Sequence, residues 1–339
     1  MSAGERAIAK EMRREEKERR KRIRLANRML IPASKKTMES MNLNAFDPSG
    51  VFYLEEDRWV KIYRITGDIA SLPDVCKSLN GRIRITLGIG EDGDRVTCHL
   101  SLMETGEIYE EVRQLYVQDE SELAKVVTLV PLSVDEAMSQ IAANSFRDIR
   151  FSYASYVRGN KDWKKECMLS ATEDGGAFKT GQLYGKSFQI LAFPKDGNAD
   201  FLKRFSELGC LMYVGLDLNA LSDEERFDFK RAIEKKYNRR LLQDEEDYIN
   251  LSISIVIFGD SKDAVEIVEE TITSFLLADG YLFVPAFHNQ STVAQSLLSI
   301  GLIDSNVMRN VKSTFVKQIL GGDIDADAKV EVRADEDKR

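Results

Sequence analysis

The segment most suggestive of chemistry is the run from Gly181 to Ser187, which reads Gly-Gln-Leu-Tyr-Gly-Lys-Ser. Its end resembles a phosphate-binding loop, in which backbone N–H groups and a lysine hold nucleotide phosphates. The spacing is one residue short, because Thr180 stands where the pattern requires glycine. A phosphate loop also precedes a helix, whereas the apolar residues after Ser187 predict a strand. Degenerate nucleotide binding is therefore our second alternative function, behind two others developed below.

A second glycine motif, residues 88–93, matches the G-x-G-x-x-G pattern of dinucleotide sites. That pattern must open a helix, whereas here an alternating segment follows and two acidic residues stand where a pyrophosphate would lie. Glycine and aspartate are the residues that tight turns require. We therefore interpret this motif as the turn of a hairpin.

Metal and nucleophile patterns are incomplete. Asp323, Asp325 and Asp327 begin like a calcium loop, but alanines (Ala328, Ala334) occupy its glycine and glutamate positions. The four cysteines form no C-x-x-C pair, and the two histidines lie far apart in the chain. We predict no metal, no cofactor and no catalytic residues, and hence a protein that is not an enzyme.

Charge is distributed unevenly along the 339 residues, whose net charge is -8. Residues 1–28 hold 11 Lys/Arg and 5 Asp/Glu, which leaves the rest of the chain strongly acidic. Such a body repels nucleic acid and anionic lipid over most of its surface. No apolar run has the length of a bilayer span, and the charged N-terminus is unlike a secretory signal, so we expect a cytoplasmic protein.

Residues 1–31 are predicted to form a basic helical arm that ends at Pro32, because Glu5–Leu30 contains neither glycine nor proline. The stretch Arg13–Arg22 has no apolar residue to bury, which is typical of a solvated helix. The alternative is electrostatic docking to anionic lipid on the inner face of the membrane, to nucleic acid or to an acidic protein. The candidate docking residues are Arg13, Arg14, Arg19, Arg20, Lys21 and Arg22.

The segment 146–165 interleaves basic and aromatic residues, as single-strand nucleic-acid binders do. Phe151–Val157 also alternates like a strand, which favours a core strand beside a basic loop. A nucleic-acid-binding accessory protein that uses the arm and this segment is therefore our first alternative function.

Periodicity predicts an α+β fold. In residues 32–160, an α+β N-terminal subdomain, the clearest element is a hairpin of residues 82–89 and 96–102, which places Cys98 in the core and His99 on the wetter face. Residues 161–320 follow a βαβ–βαβ order, the split order of a ferredoxin-like unit with antiparallel or mixed sheets. Residues 321–339 are expected to be an acidic disordered tail.

The order of elements in the second half carries a resemblance. The strand Ile253–Phe258 leads into Gly259-Asp260-Ser261, a helix and Gly280, and then into Val284-Pro285-Ala286-Phe287, Gln290, Leu298, Gly301 and Arg309. This resembles the N-terminal, non-motor domain of the VirB/TraC-type ATPases of conjugation and type IV secretion, as do Phe188–Pro194 and Tyr63-Arg64-Ile65 on earlier strands. The similarity covers roughly residues 40–315.

The resemblance implies a non-catalytic assembly or docking component of a conjugative DNA-transfer machine, which acts through protein contacts. In that family a motor with a phosphate loop follows this domain, and here the chain stops after an acidic tail, so no catalytic residue is carried over. The implied partners are a separate motor ATPase, other secretion-machine proteins or a second copy of the chain. The implied partner surface lies around Phe287, His288 and Gln290, next to where the motor would stand.

Overall fold

Hydrophobic alternation and turn residues set the elements of the first half. A computed structural model of the chain describes residues 3–159, 161–174, 176–237, 248–286, 289–303 and 307–321. The elements are α1 (Ala3–Ala26), β1 (Ile31–Pro32), α2 (Lys35–Met41), β2 (Leu43–Asp47), β3 (Val51–Leu54), β4 (Arg58–Gly67), a 3-10 turn (Ile69–Ser71) leading into α3 (Leu72–Cys76), β5 (Arg82–Ile89), β6 (Arg95–Thr105), α4 (Tyr109–Leu123), β7 (Val127–Pro131) and α5 (Val134–Asn144).

The second half continues in the same manner. Its elements are α6 (Tyr153–Arg158), α7 (Trp163–Cys167), β8 (Thr172–Asp174), β9 (Ala177–Thr180), β10 (Leu183–Ala192), α8 (Phe201–Ser206), β11 (Met212–Ala220), α9 (Asp223–Tyr237), β12 (Tyr248–Gly259), α10 (Lys262–Ala278), β13 (Leu282–Pro285), α11 (Gln290–Leu298), β14 (Arg309–Lys312) and α12 (Ser313–Leu320). Capping boxes begin two of the helices, α5, where Ser133 and Glu136 bond reciprocally, and α9, where Ser222 and Glu225 do so.

One sheet crosses both predicted subdomains. The strands described run β7-β4-β6-β5-β11-β12-β10-β13 through its centre, and every pairing among them is antiparallel. β5 and β11 join the halves over the register Ile83↔Leu218 to Ile89↔Met212. The α+β class is therefore confirmed, with an extensive antiparallel sheet.

The two halves repeat one order of elements. Each has a hairpin (β2–β3 or β8–β9), a long strand, a helix, two strands, a helix, an edge strand and a covering helix, and the second half inserts α9 between its two strands. A hydrogen bond at the end of the edge strand recurs as well. The N–H of Leu132 bonds to Ile62 O in the first half, and the N–H of Ala286 bonds to Ser187 O in the second, both at 2.9 Å. In both halves the edge strand ends in Val-Pro.

The main core lies on one face of the sheet. Alternate residues of the central strands, such as Ile83, Ile85 and Leu216, pack there against α3, α4, α8, α10 and α12. The opposite face is also covered, by α5 over Val60 and Ile62 and by α11 over the β11–β12 region. Both sets of alternating side chains are therefore buried along β5 and β11.

A buried ion pair lies on this second face at the join of the halves. Arg84 and Asp217 are directly paired across β5 and β11, and Arg84 Nε donates to Asp217 Oδ1 at 2.8 Å while Nη2 donates to Oδ2 at 3.2 Å. Arg84 Nη1 also donates to Ser296 O and Ser296 Oγ, both at 2.9 Å. The pair thus connects both halves of the sheet to α11.

Two sequence predictions were wrong in this part of the fold. His99 is buried with 1% exposure, because α11 and the residues after it cover the face that we expected to be wet. Phe151–Val157 is not a strand, since Tyr153–Arg158 is helical.

We expect Asp217→Ala to destabilise the protein by about 3–5 kcal/mol, because it leaves the Arg84 guanidinium charged and unpaired inside the structure. Urea unfolding measures this loss. The double variant Arg84→Met with Asp217→Leu removes both charges together and should recover most of the stability. Equal losses in the single and double variants would contradict the account.

Candidate functional site

The phosphate-loop-like segment does not form a loop. Residues 183–192 are strand β10, and Tyr184 to Gln189 pair with β12. Lys186 forms an ion pair with Glu269 of α10, just as Lys61 of β4 does with Glu120 of α4 at 2.5 Å in the first half. The recurrence of this pair assigns Lys186 to the packing of a helix on the sheet.

The second glycine motif is a hairpin turn, as predicted. The N–H of Gly90 bonds to Asp94 O at 2.8 Å, and the N–H of Gly93 bonds to Gly90 O at 3.0 Å. The calcium-like aspartates at positions 323, 325 and 327 lie outside the described residues, as do residues 322–339 of the predicted tail 321–339.

The predicted partner surface is only partly within the described residues. Phe287 and His288 lie outside them. Gln290 is fully buried: its Oε1 accepts the backbone N–H of Ser187 at 2.5 Å, and its carbonyl oxygen accepts Ser187 Oγ at 2.8 Å. Placing Gln290 on a partner surface was therefore wrong, because this side chain attaches the start of α11 to β10.

The aromatic residues of 146–165 serve the core. Phe151 and Tyr156 stack at 4.5 Å, Phe151 and Trp163 meet edge-on at 4.7 Å, and Trp163 is fully buried. Phe146 is 39% exposed but packs edge-on against Phe258 at 4.9 Å. These buried rings leave no row of faces on which nucleotide bases could stack, so this segment does not supply the stacking platform that the first alternative function required.

The arm is helical and its predicted docking residues are exposed. Glu16 pairs with Arg20 at 2.7 Å, in the predicted i,i+4 spacing. Arg19 Nε donates to Glu107 Oε2 of the body at 3.1 Å. Asn27, just beyond the helix, donates to Glu107 O at 2.9 Å and accepts the N–H of Tyr109 at 2.8 Å, so the C-terminal end of the arm is attached where α4 begins.

The outer edge of β7 is open. Among the described residues β7 pairs only with β4, and Thr128, Val130 and Pro131 are exposed, Val130 by 49%. The bond from Leu132 N–H to Ile62 O fixes the alternation, so the backbone groups of Val130 and Thr128 face β4. Those of Leu129 therefore face outward, next to a proline that has no N–H to offer.

A cleft of about 430 Å³ lies between this edge and α4. Its lining is mostly apolar, and it contains one acid. Tyr63 OH donates to Glu120 Oε1 at 2.6 Å, and Lys61 Nζ lies 2.5 Å from the same oxygen. Burial, and then the Glu120 charge, hold the pKa of Tyr63 well above its usual range, so its hydroxyl remains a donor. The lining residues are Tyr63, Glu120, Ala124, Val127, Thr128, Leu129 and Pro131.

A pair of acidic side chains, Asp119 and Glu104, lies inside the same half. Asp119 accepts the backbone N–H groups of Asn80 and Gly81 at 3.0 and 2.9 Å, which closes the turn before β5. Glu104 beside it is 2% exposed, and burial, then the hydrogen bond and charge of Asp119, raise its pKa to about 9. Glu104 is therefore protonated at neutral pH, which avoids two adjacent buried negative charges.

Comparison with known proteins adds no assignment. No protein-family model matches this sequence, and no curated protein matches it. Within the described ranges, no group of three or more histidine, cysteine, aspartate or glutamate side chains is arranged to hold a metal ion. In the same part of the chain, none of the helices has the combined length and apolar character that crossing a bilayer requires.

The open edge and its cleft are the features that sequence reasoning missed. The available signal was the repeated Val-Pro at positions 130–131 and 284–285, because proline inside a strand pattern marks an edge. Which lysine and glutamate meet beside that edge depends on packing between β4 and α4, which one-dimensional spacing does not give.

We expect the stability of the protein to fall as the pH rises from 6.5 to 8.5. The folded chain retains the Glu104 proton with a pKa of about 9, whereas the unfolded chain loses it near 4.5, so the folded state binds more protons throughout this window. Each pH unit there costs up to about 1.4 kcal/mol. Glu104→Gln should flatten this slope in urea titrations, and an unchanged slope would contradict the account.

A second titrating side chain, His99, affects stability at a lower pH than Glu104. His99 is buried neutral with its pKa lowered to about 4, so its effect on stability is expected below about pH 6.5, where the unfolded histidine takes up a proton. Its contribution there opposes that of Glu104, so the stability of the wild type should change little between about pH 6.5 and 4.5. His99→Gln provides the matched control, because without the histidine the stability should keep rising as the pH falls through this range.

We expect magnesium ATP to leave the melting temperature unchanged, since Lys186 is already paired and its segment is a strand. Lys186→Met should change stability equally with and without the nucleotide. Stabilisation by ATP that Lys186→Met abolishes would restore the nucleotide-binding alternative.

Proposed function

We propose that this chain is a non-catalytic assembly component of a conjugative DNA-transfer or type IV secretion-like machine, acting through protein contacts on the cytoplasmic side of the membrane. The observation that carries the proposal is the open edge of β7 with an apolar cleft beside it. This arrangement suits the addition of an extended segment from another protein, in which main-chain bonds give affinity and a neighbouring pocket gives specificity.

The residues behind the resemblance support this proposal as fold determinants. Ser261 Oγ caps α10 by accepting the N–H of Ala264 at 3.1 Å, and Gly280 has a φ of +83° just after that helix. Gln290 joins α11 to β10. Proteins that share a fold but not a catalytic activity would retain such helix caps, turn glycines and hydrogen bonds between elements.

We also propose that each half is a ferredoxin-like split βαβ unit. The supporting observation is that β7-β4-β6-β5 and β13-β10-β12-β11 both place the four strands of a β-α-β-β-α-β run in the order fourth, first, third, second. The two units then share one sheet through their second strands, β5 and β11.

The cleft defines the chemistry of the partner. Glu120 Oε1 already accepts from Tyr63 and Lys61, while Oε2 takes no hydrogen bond from any residue in the described ranges. An extended apolar segment with a lysine or arginine that reaches Oε2 would satisfy both the apolar lining and this free oxygen. We propose that a motor ATPase of the same machine provides that segment.

We expect Val130→Lys and Ala124→Arg each to reduce capture of the motor chain by at least about tenfold, because the first places a charge along the strand edge and the second fills the cleft. Co-expression of the chain with the motor ATPase of its own transfer locus, followed by affinity purification and titration, measures this. Both sites are exposed, so melting temperatures should remain close to that of the wild type.

The matched control is Ile267→Lys, which adds the same charge at a 65% exposed aliphatic position on α10 in the other half. It should bind the motor as the wild type does. Failure of the wild-type chain to bind any motor or other machine component would overturn the proposed function. Equal loss in all three variants would overturn the placement of the partner at β7.

A further inference from the structure

The arm separates its charges around the helix axis. Lys10, Arg13, Lys17, Lys21 and Arg24 follow one another at intervals of three or four residues, and all are exposed. At 3.6 residues per turn these five side chains fall within about 80° of arc and extend along about 21 Å of helix. We call these five residues the cationic stripe.

The acids of α1 lie outside this arc. Glu16 and Glu18, the nearest on each side, are about 60° away from its borders at 3.6 residues per turn. They are paired with arginines outside the arc, Glu16 with Arg19 and Arg20 at 3.4 and 2.7 Å, and Glu18 with Arg14 at 3.4 Å. Arg14 and Arg20 flank the arc by about 20°, whereas Arg19 lies on the opposite side of the helix. No ion pair with the stripe is present in the described part of the chain.

The attachment of the arm gives the stripe a direction. Arg19, which bonds to Glu107 of the body at 3.1 Å, lies about 160° around the helix from the centre of the stripe. Asn27 fixes the same end of the arm to the start of α4. The stripe therefore points away from the acidic body, on the side where that body repels an anion least.

We propose that the cationic stripe docks the protein on an anionic lipid bilayer, with α1 lying along the headgroups. A narrow arc of cations on a straight helix can meet a flat surface with all five charges at once. Arg14 and Arg20 beside the arc and Arg19 opposite it are engaged by Glu18, Glu16 and Glu107, so among the described residues 10–26 the cations outside any ion pair are the stripe and Arg22. The arm also has no aromatic residue for base stacking.

The binding is electrostatic and reversible. The arm from Arg13 to Arg22 has no apolar side chain that could enter the acyl region, so it stays at the level of the headgroups. Each lysine or arginine near an anionic leaflet contributes to the free energy of binding. Salt screens that electrostatic attraction over about 8–10 Å. The inference is independent of the edge of β7, since the two surfaces share no residue.

The test uses two double variants of the full chain that carry the same net charge. Lys17→Gln with Lys21→Gln neutralises part of the stripe, whereas Arg19→Gln with Arg22→Gln neutralises two cations that lie about 140–160° around the helix from its centre. Glutamine keeps the helix propensity of the arm, which circular dichroism checks. Sedimentation with phosphatidylcholine vesicles, with and without phosphatidylglycerol, measures partitioning, and a fluorescent 20-base-pair duplex measures nucleic-acid binding by anisotropy.

We expect the wild type to bind the anionic vesicles, to ignore the neutral ones and to dissociate as salt is raised. The Lys17/Lys21 variant should lose on the order of 30-fold in partitioning, and the Arg19/Arg22 variant less than about fivefold. Absence of wild-type binding, equal losses in both variants, or tighter binding to the duplex than to anionic vesicles would each overturn the proposal. The variant Val130→Lys should bind vesicles as the wild type does, which keeps this result separate from the proposed function.

Discussion

The structure depends on the pairing of Arg84 with Asp217 where the two halves of the sheet meet. An isolated charge in the interior is costly, so each of these residues requires the other at hydrogen-bond distance. They are direct neighbours across β5 and β11, and a shift of one residue would send them to opposite faces. The ion pair therefore fixes the register of the central joint, and Ser296 fixes α11 above it.

The joint between β5 and β11 explains why the sheet face that carries Arg84 and Asp217 is covered although it is rich in polar residues. Ser101 Oγ donates to Ile300 O at 2.5 Å, and the side chain of Leu297 approaches Gly215 so closely that a Cβ there would lie 2.2 Å from it. A side chain at position 215 would therefore displace the Leu297 side chain, and glycine allows the close approach of α11. With the centre fixed and covered in this way, the surfaces left for partners are at the periphery, on the outer edge of β7 and on the arm.

The sequence predicts what is local and fails where burial depends on distant residues. The alternation of residues 82–89 is encoded within a few positions, so this strand was predicted closely. His99 and Gln290 were placed at the surface because the residues that cover or contact them are far away in sequence. Alternation over Phe151–Val157 was too short to distinguish a strand from the helix that α6 forms. The edge cleft was missed for the same reason as His99, since β4, α4 and β7 create it together.

Comparison of the two repeated halves distinguishes the polar side chains that both halves need for packing from those that occur in one half alone. Lys61 with Glu120 and Lys186 with Glu269 occupy equivalent places, so these pairs belong to the packing that both halves need. The position two residues after the lysine differs, because the first half has Tyr63 and the second has Phe188. Both side chains are buried, but the Tyr63 hydroxyl binds Glu120 at the wall of an open cleft, whereas Phe188 has no polar group. A hydroxyl that the repeated architecture does not require, placed beside an open strand edge, supports the first half as the one adapted to receive a partner.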